Sequence, residues 1–78
     1  MLVTREDIVD VIRKAKAIEA PESLRPEMNI TEQGVDSLGL FSIVLAVQDA
    51  YGIANNDAEV DQLHTLNDLV AYANTHRA

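Results

Sequence analysis

The 78-residue sequence contains no cysteine. Disulfide bonds, thiolate nucleophiles and cysteine-ligated zinc sites are therefore excluded. Tryptophan is also absent, and aromatic residues make up only 4% of the chain, so a core must be built mainly from leucine, isoleucine, valine and alanine. The absence of cysteine fits a reducing compartment, and the polar start of the chain does not look like a secretory signal. We therefore expect a cytoplasmic protein.

Basic residues are scarce. Six lysines and arginines stand against thirteen acidic residues, which gives a formal net charge of −7. Nucleic acids and anionic membranes attract basic surfaces, so neither is expected as a partner. The imbalance is greatest in residues 36–78, where Arg77 is the one basic residue beside six acidic ones. A protein partner with a basic surface is the natural expectation for that half.

Long hydrophobic runs are missing as well. No apolar stretch approaches the roughly 20 residues of a membrane-spanning helix, so the protein is not expected to be embedded in a membrane. A chain of this length is sufficient for one domain and too short for two. We predict a single domain over residues 1–78 that acts as a monomer.

Helical signals dominate the rest of the sequence. Thr4 followed by Asp7 is a variant of the capping box that begins helices, with aspartate in place of the usual glutamate or glutamine. Apolar residues then recur at steps of three and four, and Pro21 follows. The pattern predicts an amphipathic helix from Arg5 to Ile18. Its predicted buried stripe consists of Ile8, Val11, Ile12, Ala15 and Ile18.

A long connection over residues 20–36 follows this helix. Connections of that length are usually packed against the core or functional. Three apolar residues are spaced along it. We predict that they anchor it to the core: Leu24, Met28 and Ile30.

Three further helices are predicted. The second helix begins at Asp36 or Ser37 and ends before Gly52, a favourable residue just beyond a helix. It is apolar nearly all round, so it is either central or keeps part of its surface for a partner. A short helix over 57–63 and a last helix after the cap Thr65 complete the fold. No strand pattern is present, and we predict an all-α bundle of three longer helices and one short one.

The motif Gly34-Val35-Asp36-Ser37-Leu38 places a serine at the start of the apolar second helix. Unpaired N–H groups and the positive end of the helix dipole lie there, so a phosphate attached to Ser37 is favourably placed. Taken alone, the motif is more simply explained as a helix cap. The spacing of the serine to its flanking glycines is one residue too long for the elbow of serine hydrolases.

Together, this motif, the helix order, the size and the acidity resemble the acyl carrier protein family. The resemblance covers nearly the whole chain and includes Tyr51-Gly52-Ile53 and Thr65-Leu66-Asn67-Asp68-Leu69. It implies a four-helix, acyl-carrier-like bundle. It also implies that a phosphopantetheinyl transferase attaches 4′-phosphopantetheine from coenzyme A to Ser37. The thiol of that group, which this cysteine-free chain cannot itself supply, would hold acyl intermediates as thioesters.

The resemblance implies roles for further residues. Asp36 matches the acidic residue that precedes the modified serine and assists the transferase, and Leu38 matches an apolar contact for partners. We expect Leu40, Phe41 and Asp49 to join Leu38 in the surface read by enzymes that load and process acyl groups through basic or apolar patches. The protein is expected to be a carrier and not an enzyme, with no catalytic residues and no metal-binding residues.

The second helix departs from the fatty-acid carriers, which typically carry several acidic residues along it. The corresponding positions here are Gly39, Ser42, Gln48 and Ala50, and only Asp49 keeps a charge. Fewer charges reduce steering toward basic enzymes, so we interpret the chain as a carrier for a specialised fatty-acid, polyketide or lipid pathway. Two alternatives remain open. One is an aminoacyl or peptidyl carrier, and the other is an unmodified acidic helical module that binds a partner.

Two expectations concern side chains near the serine. Gly39 is expected to cost helix stability, about 0.5–1 kcal/mol relative to alanine, and to loosen the first turn. Five apolar residues are expected to line an interior that could shelter an acyl chain, although ordinary core is the simpler explanation for each: Phe41, Val44, Leu45, Leu63 and Leu66.

Overall fold

The computed structural model describes residues 2–54 and 60–77, and these residues contain three complete α-helices. Within these residues there is no β-strand, and the all-α prediction is confirmed. Every helix in this part of the chain falls short of the length and apolar character that crossing a membrane requires. The helices are α1 (Arg5–Ala15), α2 (Ser37–Tyr51) and α3 (Leu66–His76).

The predicted short helix over 57–63 lies partly outside the described residues, which resume at residue 60. Val60 is helical, and Asp61 and Gln62 form a turn. The N–H of Leu63 donates to the carbonyl of Val60 at 3.1 Å. The count of four helices therefore stays a prediction.

α1 begins where the sequence predicts and ends earlier. The Thr4 hydroxyl accepts from the Asp7 N–H at 3.2 Å, and the Asp7 carboxylate accepts from the Thr4 N–H at 2.9 Å. Lys16 adopts a left-handed conformation with φ of 56°, which ends the helix, so the predicted end at Ile18 is wrong. Ile18 still packs against the core, but Ala15, which was predicted to be buried, is exposed.

The core lies where the three helices meet. It is almost entirely aliphatic, as the shortage of aromatic residues predicts. Among the described residues, every buried side-chain nitrogen or oxygen has a hydrogen-bond partner, so the core carries no polar group that is costly to bury. The helices contribute Ile8 and Ile12 from α1, Ile43, Val44 and Val47 from α2, and Leu66, Leu69 and Ala73 from α3.

The long connection between α1 and α2 is fastened to the start of α3. The N–H of Ile30 donates to the carbonyl of His64 at 2.8 Å, and the N–H of Asn67 donates to the carbonyl of Pro26 at 3.1 Å. Ile30 is fully buried, as predicted, and begins a 3-10 turn over Ile30–Gln33. The connection is therefore an ordered part of the fold that leads directly into α2.

Gln33 clamps this connection from within. Its side-chain oxygen accepts from the Arg25 N–H at 2.7 Å, and its side-chain nitrogen donates to the carbonyls of Arg25 at 3.2 Å and Met28 at 3.1 Å. Leu24 is buried as predicted, but the Met28 side chain is 38% exposed, so its predicted role as an apolar anchor is wrong. A polar side chain that binds its own loop leaves no periodic signal in the sequence.

α3 begins at a second capping box, as Thr65 predicts. The Thr65 hydroxyl accepts from the Asp68 N–H, and the Asp68 carboxylate accepts from the N–H groups of Thr65 and His64, all at 3.0 Å. Burial raises the pKa of Asp68, but these hydrogen bonds and the nearby His64 lower it by more. The pKa therefore lies below that of an ordinary aspartate. Asp68 thereby fixes the segment that contains His64, and the carbonyl of His64 accepts the hydrogen bond from Ile30 in the long connection.

The C-terminal part of α3 holds the start of the chain. The Asn74 side-chain oxygen accepts from the Val3 N–H at 2.7 Å, and its nitrogen donates to the Val3 carbonyl at 2.9 Å. The same nitrogen donates to the Val70 carbonyl at 3.1 Å. Asn74 thus secures the residues before α1, a contact that the sequence pattern did not predict.

Replacing Asp68 by asparagine is expected to lower the free energy of unfolding by about 1–2 kcal/mol at pH 7, because hydrogen bonds to a charged acceptor become neutral ones. Since the folded pKa is depressed, this stabilisation is complete above the pKa of an unfolded aspartate. It is lost as the pH falls through the lower folded pKa. Urea unfolding at a series of pH values should show the difference between wild type and variant shrinking in acid.

The control for this measurement is Asp61→Asn. Asp61 is exposed and makes no hydrogen bond or ion pair with the described residues. Its replacement should leave the free energy of unfolding nearly unchanged at every pH. An Asp68→Asn effect that stays constant from neutral pH into acid would contradict the charge-dependent role of Asp68.

Candidate functional site

A tight turn delivers the chain to α2. Gly34 has φ of 89°, a left-handed conformation that favours glycine. Val35 then packs into the core, and Asp36 caps the helix. The Asp36 carboxylate accepts from the Gly39 N–H at 2.8 Å, and its carbonyl accepts from the Leu40 N–H at 3.0 Å. The predicted start of the second helix at Asp36 or Ser37 is confirmed. The expected loosening of its first turn stays a prediction.

Ser37 is the first residue of α2, and it is exposed. Its hydroxyl makes no hydrogen bond with the residues that the structure describes, whereas the hydroxyl of Ser23 donates to the Ala20 carbonyl at 2.7 Å. The first turn of a helix presents N–H groups without intrahelical partners and the positive end of its dipole. The Ser37 oxygen is therefore accessible at a position that favours a phosphate.

Three large apolar side chains follow Ser37 along one exposed side of α2. Leu38 is 77% exposed, Phe41 is 51% exposed and Leu45 is 43% exposed. Their spacing of three and four residues places them in one row along the helix. We call Leu38, Phe41 and Leu45 the apolar stripe. Side chains of this size are costly to leave in water, so the row is suited to contact with another molecule.

The other predicted partner residues divide between the surface and the core. Asp49 is exposed, four residues beyond the end of the apolar stripe. Leu40 is only partly exposed and packs against the core. Gln48, one of the uncharged positions noted along this helix, is 6% exposed and donates to the Tyr72 hydroxyl at 3.1 Å. Gln48 therefore joins α2 to α3 and is no part of a partner surface.

The predicted interior is correct for three of its five residues. Val44, Leu63 and Leu66 are buried, while Phe41 and Leu45 belong to the exposed apolar stripe. The prediction failed for these two because α2 is apolar nearly all round, so its sequence does not show which side faces inward.

Metal-binding groups do not gather near this motif in the part of the chain that the structure describes. No cluster of three or more histidine, aspartate or glutamate side chains there could hold a metal ion. The ring of His76 is half-buried and lies 4.9 Å from the ring of Tyr72 on α3. Ser37 with its cap remains the candidate site.

Comparison with known proteins identifies the family. A family profile described as "Phosphopantetheine attachment site" matches residues 6–73. An acyl carrier protein of Campylobacter hominis is 31% identical over 68 residues, which cover 86% of this chain and 85% of that protein. The chain belongs to the acyl carrier protein family. The resemblance drawn from the motif and the helix order is thereby confirmed.

Other acyl carrier proteins with specialised names are equally similar. The meromycolate extension acyl carrier proteins of Mycobacterium bovis and Mycobacterium tuberculosis are each 32% identical over 77 residues, which cover 92% of this chain. That of Mycobacterium leprae is 31% identical over the same length. This chain spans 66% of the length of these three mycobacterial relatives.

The prosthetic group of acyl carrier proteins is 4′-phosphopantetheine, held through a serine oxygen, and the geometry at Ser37 fits it. The hydroxyl is exposed and engaged with none of the described residues. The Asp36 cap leaves it free, because the aspartate binds the Gly39 N–H instead. Ser42 is also exposed, but it lies in the second turn of α2, away from the unpaired N–H groups of the helix start.

Two substitutions on α2 should separate the apolar stripe from the core. Phe41→Ala is expected to change the free energy of unfolding by about 1 kcal/mol or less, because half of the side chain is already in water. Ile43→Ala should cost about 2–5 kcal/mol, because the side chain is fully buried. Urea denaturation of both variants measures the contrast, and equal losses would place Phe41 in the core.

Proposed function

We propose that this protein is an acyl carrier whose Ser37 bears 4′-phosphopantetheine, and that it presents acyl intermediates to separate enzymes without catalysing a reaction itself. The observation that carries the proposal is the exposed, unengaged hydroxyl of Ser37 at the first position of α2. Membership in the acyl carrier protein family supports it. Residues 1–78 then make one carrier domain, which we expect to be monomeric and to work in the cytoplasm.

The attachment step needs an accessible oxygen nucleophile and a place for negative charge. A phosphopantetheinyl transferase joins the Ser37 oxygen to the phosphorus that bears pantetheine, and the pyrophosphate bond of coenzyme A breaks to release adenosine 3′,5′-bisphosphate. Among the residues that the structure describes, no histidine or lysine hydrogen-bonds Ser37, so we assign the base that takes the hydroxyl proton to the transferase. The N–H groups of the first turn of α2 favour the phosphodiester that results.

Asp36 contributes in two ways. One carboxylate oxygen caps α2 by accepting from the Gly39 N–H. Its other oxygen makes no hydrogen bond with the described residues, so it can interact with a basic group or a metal ion of the transferase. The attached group supplies a terminal thiol that holds the cargo as a thioester.

The apolar stripe is the surface that we assign to partner enzymes. Leu38 lies next to the modified serine, and Phe41 and Leu45 extend the row along α2. Asp49 adds a charge at its far end, but the exposed positions Ser42 and Ala50 carry none. Partners that dock mainly through apolar contacts suit this surface, and a specialised lipid pathway fits both the surface and the names of the mycobacterial relatives.

The first prediction tests the modification itself. The protein is incubated with coenzyme A and a broad-specificity phosphopantetheinyl transferase, and its intact mass is measured. A gain of one phosphopantetheine is expected for the wild type and for Ser42→Ala, which removes the other exposed serine of α2. No gain is expected for Ser37→Ala.

Circular dichroism of both serine variants, which should show folded helical proteins, keeps the outcomes distinct. A gain that persists in Ser37→Ala moves the attachment to another residue. No gain in any variant, after a second transferase has also failed, favours an unmodified module that binds partners through the apolar stripe. After a gain is seen, loading with acyl or aminoacyl donors distinguishes an acyl carrier from an aminoacyl or peptidyl carrier.

A second prediction concerns the missing charges of α2. The double variant Ser42→Glu/Ala50→Glu should associate faster with a fatty-acid enzyme that has a basic docking surface, by about tenfold at low salt. Raising the ionic strength should remove most of the gain, because these charges are exposed. Stopped-flow association rates measure it, and Ser42→Gln/Ala50→Gln is the control of similar shape without charge. An equal gain in the glutamine control would show that charge is not the missing feature.

A further inference from the structure

Gly39 occupies the first turn of α2, where glycine is normally unfavourable, and its surroundings account for it. A Cβ atom at this position would lie 2.8 Å from Cγ1 of Val35 and 3.3 Å from Oδ1 of Asp36. The first distance is closer than real Cβ contacts come. The place of a side chain at residue 39 is thus already filled by Val35.

The Val35 side chain cannot easily move out of that space. It is 8% exposed and belongs to the hydrophobic core, and its β-branched side chain has few alternative rotamers. Gly34 presents a contrasting case, because its φ of 89° requires glycine while nothing lies within 4 Å of its missing Cβ. Gly39 has no such φ, so close contact and not backbone conformation excludes a side chain there.

The contact reaches the helix cap. The carboxylate oxygen of Asp36 that faces the missing Cβ also accepts the Gly39 N–H at 2.8 Å. A side chain at residue 39 must therefore move Val35 away from the core or move Asp36 away from its hydrogen bond. Ser37 lies between Asp36 and the rest of the first turn, so either movement changes how its hydroxyl is presented.

We propose that Gly39 is a positioning residue for the modification of Ser37, an inference that rests on the carrier function proposed above. The missing side chain lets Val35 and Asp36 lie against the first turn of α2 and fixes the turn that carries the serine. Any side chain at residue 39, charged or not, would meet both Val35 and the Asp36 cap.

Steady-state kinetics of Ser37 modification test the proposal, with coenzyme A as donor and a broad-specificity transferase. Gly39→Ala should lower kcat about tenfold while KM for the protein stays within about twofold, because the apolar stripe is unchanged whereas the reacting hydroxyl and the Asp36 cap beside it are displaced. The double variant Val35→Ala/Gly39→Ala should recover kcat to within about threefold of wild type. Its alanine methyl at residue 39 enters the space that the Val35 methyl groups leave.

Gly52→Ala is the matched control. It makes the same substitution at the opposite end of the same helix, where φ of 64° disfavours alanine. This variant should lose thermal stability and keep the wild-type kcat at a temperature where it is fully folded. The exchange rate of the residue 39 amide proton, followed by NMR, gives a second readout. Exchange should be faster in Gly39→Ala and return toward the wild-type rate in the double variant.

The results separate this inference from the carrier function. A wild-type chain that is never modified overturns the carrier function and, with it, any role of Gly39 in modification. A wild type that is modified, with an unchanged kcat in Gly39→Ala, overturns the positioning role alone. Losses of kcat that follow thermal stability equally in Gly39→Ala and Gly52→Ala also overturn it, since they would show a general effect of destabilisation.

Discussion

The hydrogen bond from the Ile30 N–H to the His64 carbonyl is the constraint on which the rest of the structure depends. It joins the middle of a long connection to the start of α3, where Asp68 holds the His64 N–H in turn. Gln33 shapes the same connection from inside. A connection of this length would otherwise be free to vary, and with it the point at which the chain enters α2. Ser37 is thus held in place by contacts made far from it in sequence.

α2 both builds the core and presents an exposed apolar row, and its composition alone does not show which residues do which. One side supplies Ile43, Val44 and Val47 to the core, and another leaves the apolar stripe exposed. A globular protein usually covers such a row, and the proposed contact with enzymes accounts for its exposure beside the serine. Apolar contact lacks the long range of charge, which makes encounter slower but lets the fit of surfaces decide which partner binds.

Local signals in the sequence predicted the helices well, but contacts between residues far apart in the sequence could not be predicted from it. Thr4 and Thr65 correctly predicted the starts of their helices, because a capping box involves residues only three apart in the sequence. The left-handed conformation of Lys16 ends α1 before the predicted residue. This end was not predicted, because a lysine in the sequence gives no signal for that conformation. The phase of α2 could not be read because apolar residues surround it, which misplaced Phe41. Gln33 acts through backbone groups of its own loop, and no periodic pattern marks such a contact.

The same distinction holds at the candidate site. The sequence located the serine and its cap, because both belong to one short motif. It treated Gly39 only as a weak point of the helix, since the approach of Val35 depends on how the turn at Gly34 brings the loop down onto α2.

The reciprocal bonds between Asn74 and Val3 have a consequence for architecture as well. They bring the first described residues beside the end of α3. Linkers attached at the two ends would therefore leave from neighbouring points. A domain with this arrangement could be inserted into a loop of a larger protein.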